Sequence, residues 1–205
     1  MIAIVDYGSG NIKAIANIYQ RLSVPVCVVD TPEGVCQADK LILPGVGAFD
    51  DSIVRLNESG LRQVLDRQVL ENSVPVLGVC VGMQMMACNS EEGGETGLGW
   101  FANSRVVRFD ENTISLKPKL PHMGWNNARS RQQHPIFDGV DEEKGFYFLH
   151  SFHFICESKH QLALTHYGVD FVSAVRNNHI FGFQFHPEKS HANGVKIFKN
   201  FAKLS

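Results

Sequence analysis

Residues 76–84 read Val76-Leu77-Gly78-Val79-Cys80-Val81-Gly82-Met83-Gln84. The run up to Val79 is apolar enough for a strand buried on both faces. It leads through G-x-C-x-G, the pattern of a nucleophile elbow with cysteine in the serine position. Glycines two residues either side of Cys80 permit a turn so tight that side chains there would strike the neighbouring strands. Such a turn holds the sulfur above the sheet at a helix N-terminus, where unpaired amides favour a thiolate. The plainer alternative is a core cysteine in an ordinary strand-to-helix turn. Cys27, Cys36, Cys88 and Cys156 have no such frame and read as core or surface residues.

Around this stretch the first half alternates short apolar runs with amphipathic ones. Ile2–Val5, Val26–Val29 and Leu41–Leu43 read as strands. Ile12, Ile15, Tyr19 and Leu22 recur at helical spacing within Asn11–Leu22, and Leu61, Val64, Leu65 and Val69 mark another helix. Thr31-Pro32-Glu33-Gly34 reads as a turn. Continuously apolar strands separated by helices imply a parallel sheet covered on both faces. After the acidic, glycine-rich loop Glu91–Gly99 the pattern changes. Trp100–Phe109, Phe146–Leu149, Gln161–Thr165, Phe171–Val175 and Ile180–Phe185 are β-rich with little helix between them, and Asn177-Asn178 suggests a hairpin. A last helix places Val195, Phe198, Phe201 and Ala202 on one face. The expected fold is α/β, with a mixed sheet parallel in its N-terminal part, partly antiparallel in its C-terminal part, and flanked by helices. No linker or repeat divides it, so residues 1–205 are expected to form one domain.

Composition removes several classes of function. Of 205 residues, 44% are hydrophobic and 20% charged, which excludes a disordered chain. A formal net charge of −2 without a basic run gives no electrostatic reason to expect nucleic acid. Five cysteines with no CxxC pair argue against a disulfide framework and a thiolate zinc site. No metal and no cofactor are expected. The N-terminus lacks a basic leader region, and no apolar run approaches the roughly 18 residues of a membrane span. The cytoplasm is the expected compartment.

A nucleophilic cysteine needs a base and the base an orienter. Phe183-Gln184-Phe185-His186-Pro187-Glu188 offers both, since residues two apart on an extended chain point the same way and Pro187 keeps His186 extended. The alternative is a strand end with a solvent-facing acid. Among the other histidines, His150 and His153 are expected on opposite faces of a strand, and His191 lacks partners at a zinc spacing. His134, His160, His166 and His179 fall near turns and are expected to be solvated. Oxyanion donors are expected from the amide of Val81 and from the loop Gly45-Val46-Gly47, whose glycines let backbone N–H groups turn toward a ligand. A tight turn without catalytic role is the alternative for that loop. It lacks the lysine and Ser/Thr of a phosphate loop.

GVCVGMQ and FQFHPEKS, in this order, resemble the class I (triad) glutamine amidotransferases, and the resemblance runs from Asp6-Tyr7-Gly8 to Lys189-Ser190. DYGSGNI, LPGVGAF, PHMGWN (Pro121–Asn126) and YFLHSF (Tyr147–Phe152) are similar to the glutaminase subunits of imidazole glycerol phosphate synthase, of histidine biosynthesis. The resemblance implies a flavodoxin-like sheet and a triad of Cys80, His186 and Glu188. It further implies that Gly47, Gln84, Glu92, His150 and Ser151 hold glutamine. Phe152 stands where a tyrosine is usual. The implied activity is hydrolysis of glutamine to glutamate and ammonia through a cysteine thioester. The implied partner is a (β/α)8-barrel cyclase that uses the ammonia to form imidazole glycerol phosphate and aminoimidazole carboxamide ribotide. Asn11, Trp125 and Lys189 are expected to face it. The sheet is expected to use up the chain, leaving the acceptor's site to that partner. A mobile PGVG segment that presents either a carbonyl or an amide to the oxyanion would couple the two. The alternatives are a free-standing cysteine hydrolase, a glutaminase subunit of another amidotransferase, and a binding module with Cys80 as redox sensor.

Overall fold

The computed structural model describes residues 1–204. All four residues of β1 (Ile2–Val5) are buried, and α1 (Ile12–Arg21) buries Ile15 and Tyr19. After β2 (Val26–Val29) the expected turn at Thr31 opens a short helix, α2 (Pro32–Cys36). Thr31 Oγ1 accepts from Gly34 N at 3.3 Å, and Pro32 presets the first helical φ. β3 (Lys40–Gly45) runs on through Pro44 and Gly45, so the first residue of the expected glycine loop is strand. α3 (Phe49–Glu58) was not among the expected helices, although Phe49, Ile53 and Leu56 form its buried stripe and Asp50 and Asp51 its acidic first turn. α4 (Arg62–Asp66) continues through a π turn (Arg67–Glu71) along the expected helix. β4 (Val76–Cys80) is wholly buried, and α5 (Val81–Gln84) is a single turn.

The second half contributes short strands: β5 (Asn89–Ser90), β6 (Arg105–Arg108), β7 (His122–Asn126), β8 (Arg129–Ser130), β9 (Phe146–His150) and β10 (Phe152–Ile155). Longer ones follow in β11 (Gln161–Tyr167) and β12 (Val169–Asn177), then β13 (Ile180–Phe183) and α6 (His191–Lys203). The Asn177-Asn178 turn joins β12 to β13 as an antiparallel hairpin, with Asn178 at φ 52. Along α6 the buried apolar side chains are Ile197, Phe198 and Phe201, while Val195 is only half-buried.

The main sheet runs β2-β1-β3-β4-β13-β12-β10-β6-β5, with β11 on β12 and β8 on β11. From β2 to β13 neighbours are parallel; β12 and β10 then reverse direction in turn. This is the mixed sheet expected. β7 and β9 form a separate antiparallel ribbon. Phenylalanines fill the core beneath it, Phe185 stacking on Phe146 at 3.9 Å and on Phe183 at 4.8 Å between ring centroids. Because β3, β4 and β13 are adjacent and parallel, the chain leaves all three on one edge. Gly45, Cys80 and the segment after Phe183 therefore meet there, where open α/β sheets bind ligands.

Candidate active site

Cys80 sits at the crest between β4 and α5 with φ 55 and ψ −111, and is 3% exposed. The glycines around it answer to close backbone approach. A Cβ on Gly82 would lie 1.9 Å from Leu43 O, and one on Gly78 would lie 2.8 Å from the carbonyl of Gly82. Holding a cysteine in that backbone region costs about 1–3 kcal/mol. Since α5 is one turn, the field at the sulfur comes from its first free amides and from the imidazole opposite.

The expected His–Glu pair forms, though by another route. β13 stops at Phe183, and Pro187–Lys189 is a 3₁₀ turn, so the side chains meet across a turn rather than along a strand. His186 Nδ1 donates to Glu188 Oε1 at 2.8 Å, with side chains 3% and 1% exposed. Hydrogen bonds to the backbone clamp the turn: His186 N donates to Tyr147 O at 2.9 Å, and the Ser190 hydroxyl donates to His186 O at 2.6 Å. Burial by itself lowers the imidazole's proton affinity, but the Cys80 charge and then Glu188 outweigh it and push His186 up to about 10. Burial likewise raises Glu188, yet the bonds from His186 and Asn11 leave it below the ordinary carboxylate value. Nε2 of His186 is the nitrogen left to serve the sulfur.

Cys80 and His186 open into a cavity of about 530 Å³, lined also by Val46, Gly47, Val81, Gln84, Glu92, His150, Ser151, Asn11 and Lys189. Within it several expected residues are already engaged. Both ring nitrogens of His150 are bonded inside the protein, to Phe152 O at 2.7 Å and His122 Nδ1 at 3.0 Å, so it supports the wall and offers no nitrogen to a ligand. Glu92, part of the cavity lining, accepts from Phe49 N through Oε2 at 2.9 Å at the start of α3. Val46 N, an expected oxyanion donor, is bonded to Ser9 Oγ at 3.1 Å, and Val46 O accepts from the same hydroxyl at 3.1 Å. Gly45 is buried in register opposite Cys80, and Gly47 has φ +91. Asn11, expected at a partner surface, donates to Glu188 Oε1 at 2.6 Å and so belongs to the triad's support. Trp125 lies outside the cavity, 48% exposed, stacked on His191 at 5.1 Å. Lys189 is exposed and 5.8 Å from the centre of the Tyr147 ring.

Three residues escaped the sequence reading. Gln184 is fully buried and donates through Nε2 to Cys80 Sγ at 3.8 Å; its place two before His186 was the available signal. Arg108, at the end of β6, lines the cavity and lies 5.9 Å from the Phe152 ring centre. His122 is 3% exposed and bonded to His150. Of the histidines expected to be solvated, only His166 is exposed; His179 Nε2 bonds Val69 O at 2.7 Å and His160 packs edge-on to Phe101.

The profile of the class-I glutamine amidotransferase family matches residues 3–204. The chain belongs to that family. Relatives of the same length place it further within these amidotransferases. It is 50% identical to imidazole glycerol phosphate synthase subunit HisH of Bdellovibrio bacteriovorus, over 206 aligned residues and 100% of each chain. It is 45% identical to subunit HisH 2 of Pseudomonas aeruginosa, again over 100% of both. Among solved structures, a glutamine amidotransferase at 19% identity superposes with a TM-score of 0.72 over 100% of both chains. A glutamine amidotransferase from Thermotoga maritima at 16% gives 0.64 over 97% of this chain and 82% of that one, so the amidotransferase fold is shared at low identity. No helix among the described residues is long and apolar enough to cross a membrane.

Proposed function

We propose that the chain is the glutaminase subunit of imidazole glycerol phosphate synthase, acting in the cytoplasm. The observation that carries the chemistry is Cys80 on its strained crest facing the buried His186–Glu188 pair across one cavity. His186, held by its Nδ1 bond to Glu188, takes the Cys80 proton through Nε2 as the sulfur becomes the nucleophile. The sulfur attacks the side-chain amide carbon of glutamine, and the Val81 amide receives the developing oxyanion. His186 gives its proton to the departing nitrogen, and ammonia leaves a γ-glutamyl thioester. Water, deprotonated by the now neutral imidazole, releases glutamate and restores Cys80. Glu92 and Arg108, of opposite charge in the lining of the same cavity, match the α-ammonium and α-carboxylate of the amino acid.

Met123 and Trp125 are 62% and 48% exposed, a surface suited to a partner. The relatives are named as subunits of imidazole glycerol phosphate synthase, which supports a partner subunit, and we read that partner as a (β/α)8-barrel cyclase that consumes ammonia in histidine biosynthesis. Engagement of Val46 N by Ser9 supports a weak resting activity, with one oxyanion donor withheld. Glutamate release would be measured for the chain alone, with the cyclase, and with the cyclase carrying its ribonucleotide. Slow release alone, strong stimulation in the loaded complex and none in Cys80→Ala is the expected result. Fast release without any partner would overturn the subunit reading.

A further inference from the structure

The motif Pro121–Asn126 has no role in the chemistry above. It lays β7 beside β9 with His122 opposite His150. Alternate side chains face opposite ways, so Met123 and Trp125 point outward while His122 is 3% exposed. The His122 ring is stacked on Tyr167 and Phe148 at 4.0 and 4.8 Å.

The hydrogen positions around it follow from bookkeeping. Phe152 O can only accept, so His150 Nδ1 carries a hydrogen. Burial lowers His122 to about 4 and His150 well below the ordinary value, so each ring is neutral with one hydrogen. His150 Nε2 is therefore bare and accepts from His122 Nδ1 at 3.0 Å. His122 Nε2 is bare in turn and accepts from Asn126 Nδ2 at 3.2 Å. The other hydrogen of that amide goes to His166 O at 2.9 Å, and Asn126 Oδ1 accepts from Asn127 N at 2.8 Å, which fixes its orientation. The chain of bonds has one consistent direction.

Its far end is the cavity wall beside Cys80. Phe152 O also accepts from Gln84 Nε2 at 3.1 Å, and the second hydrogen of Gln84 goes to Gln184 Oε1 at 3.0 Å. We propose that His122 is a positioning residue for glutamine: by donating to His150 it fixes the ring that holds the Phe152 carbonyl, and through it Gln84 and the Ser151–Phe152 wall. This rests on the glutaminase reading above. Without the His122 donor, His150 Nε2 becomes a buried acceptor with no partner, and the ring regains freedom to turn away from Phe152 O. A wall that holds substrate and transition state alike is read in KM and not in kcat.

Two measurements on the full chain test this. Imidazole ¹⁵N NMR at pH 7 is expected to find the hydrogen of both His122 and His150 on Nδ1. A charged ring, or Nε2–H on either, overturns the relay; this arm needs neither activity nor a variant. Glutamine kinetics then compare His122→Phe, which keeps the stacked ring, with His122→Asn, whose amide nitrogen stands near the position of Nδ1. His122→Phe is expected to raise KM for glutamine about tenfold with kcat within about twofold, and His122→Asn to restore KM. A variant that merely loses folded protein lowers apparent kcat and leaves KM alone. A loss confined to kcat, or an unchanged KM in folded His122→Phe, therefore overturns the proposal. These kinetics are run with the loaded cyclase present; if the parent releases no glutamate even there, it is the glutaminase reading that fails, while the tautomers still decide the relay.

Discussion

Cys80 occupies backbone that suits glycine, at φ 55 and ψ −111, and the fold imposes this because Gly78 and Gly82 leave no room for another path. Function and stability therefore oppose each other at one residue. Cys80→Gly relieves the strain but also removes the pairing of the sulfur with His186, so the comparison is made toward pH 10, where that pairing has faded. It is expected to raise stability by about 1 kcal/mol in urea unfolding. Glutaminase activity should fall by roughly three orders of magnitude or more. Equal or lower stability of Cys80→Gly would show that the crest is not strained. The elbow was legible from sequence because its requirements are local: spacing and the absence of a Cβ fix it. The bond of Asn11 to Glu188 was not legible, for the opposite reason. It spans 177 residues, and nothing at either end announces the other. Gln184 and the His122–His150 pair were hidden in the same way, since a buried polar contact is decided by packing across elements.

The segment from β13 into α6 places His186 and Glu188, and here the sequence reading reached the right pair through the wrong geometry. Extended chain was expected; the contact is made by a 3₁₀ turn that Ser190 and Tyr147 hold. The α3 helix shows a different failure: its stripe of Phe49, Ile53 and Leu56 has helical spacing but follows directly on the glycine loop, which drew the reading away. The ribbon strand β7 carries too few alternating apolar residues to read as a strand at all. The paired charges of the turn give a pH signature. His186 is raised from 6.5 to about 10, so its contribution to stability is complete below about pH 6.5 and fades as pH rises toward 10. Glu188 is held below its ordinary 4.5, so its contribution is complete above that pH and is lost on further acidification. The stability gap between the parent and His186→Gln is expected to be widest between pH 4.5 and 6.5 and to close toward pH 10. The Cys80 charge is the largest of the effects that raise the imidazole, so in a Cys80→Ala background the closure should begin at lower pH. A gap constant from pH 6 to 10 would mean that His186 is not held charged.

At the scale of the whole molecule, one short segment joins three parts that the fold otherwise keeps apart. Val46 is 39% exposed and lines the Cys80 cavity. It also borders a second cavity of about 390 Å³ that Ser9, Ser52 and Arg55 help to line, which leaves space behind the segment for its peptide to turn. The Ser9 hydroxyl bonds both the amide and the carbonyl of Val46, and so resists that turn from a loop that packs against the site from β1. A hydroxyl bond of this kind is worth about 1 kcal/mol net, or roughly fivefold in the population of the turned state. Removing it should therefore release part of the withheld oxyanion donor without any partner. Ser9→Ala is expected to raise partner-free glutaminase turnover about fivefold, within the ceiling of roughly 10²–10³ that one oxyanion donor supplies. On the reading that stimulation works by breaking this bond, turnover in the fully stimulated complex should change little, so the stimulation factor falls by the same amount. Both rates would be measured on one preparation, with and without the loaded cyclase. A Ser9→Ala chain that turns over no faster alone would mean that the hydroxyl only braces the loop, and that the resting activity is limited elsewhere in the site.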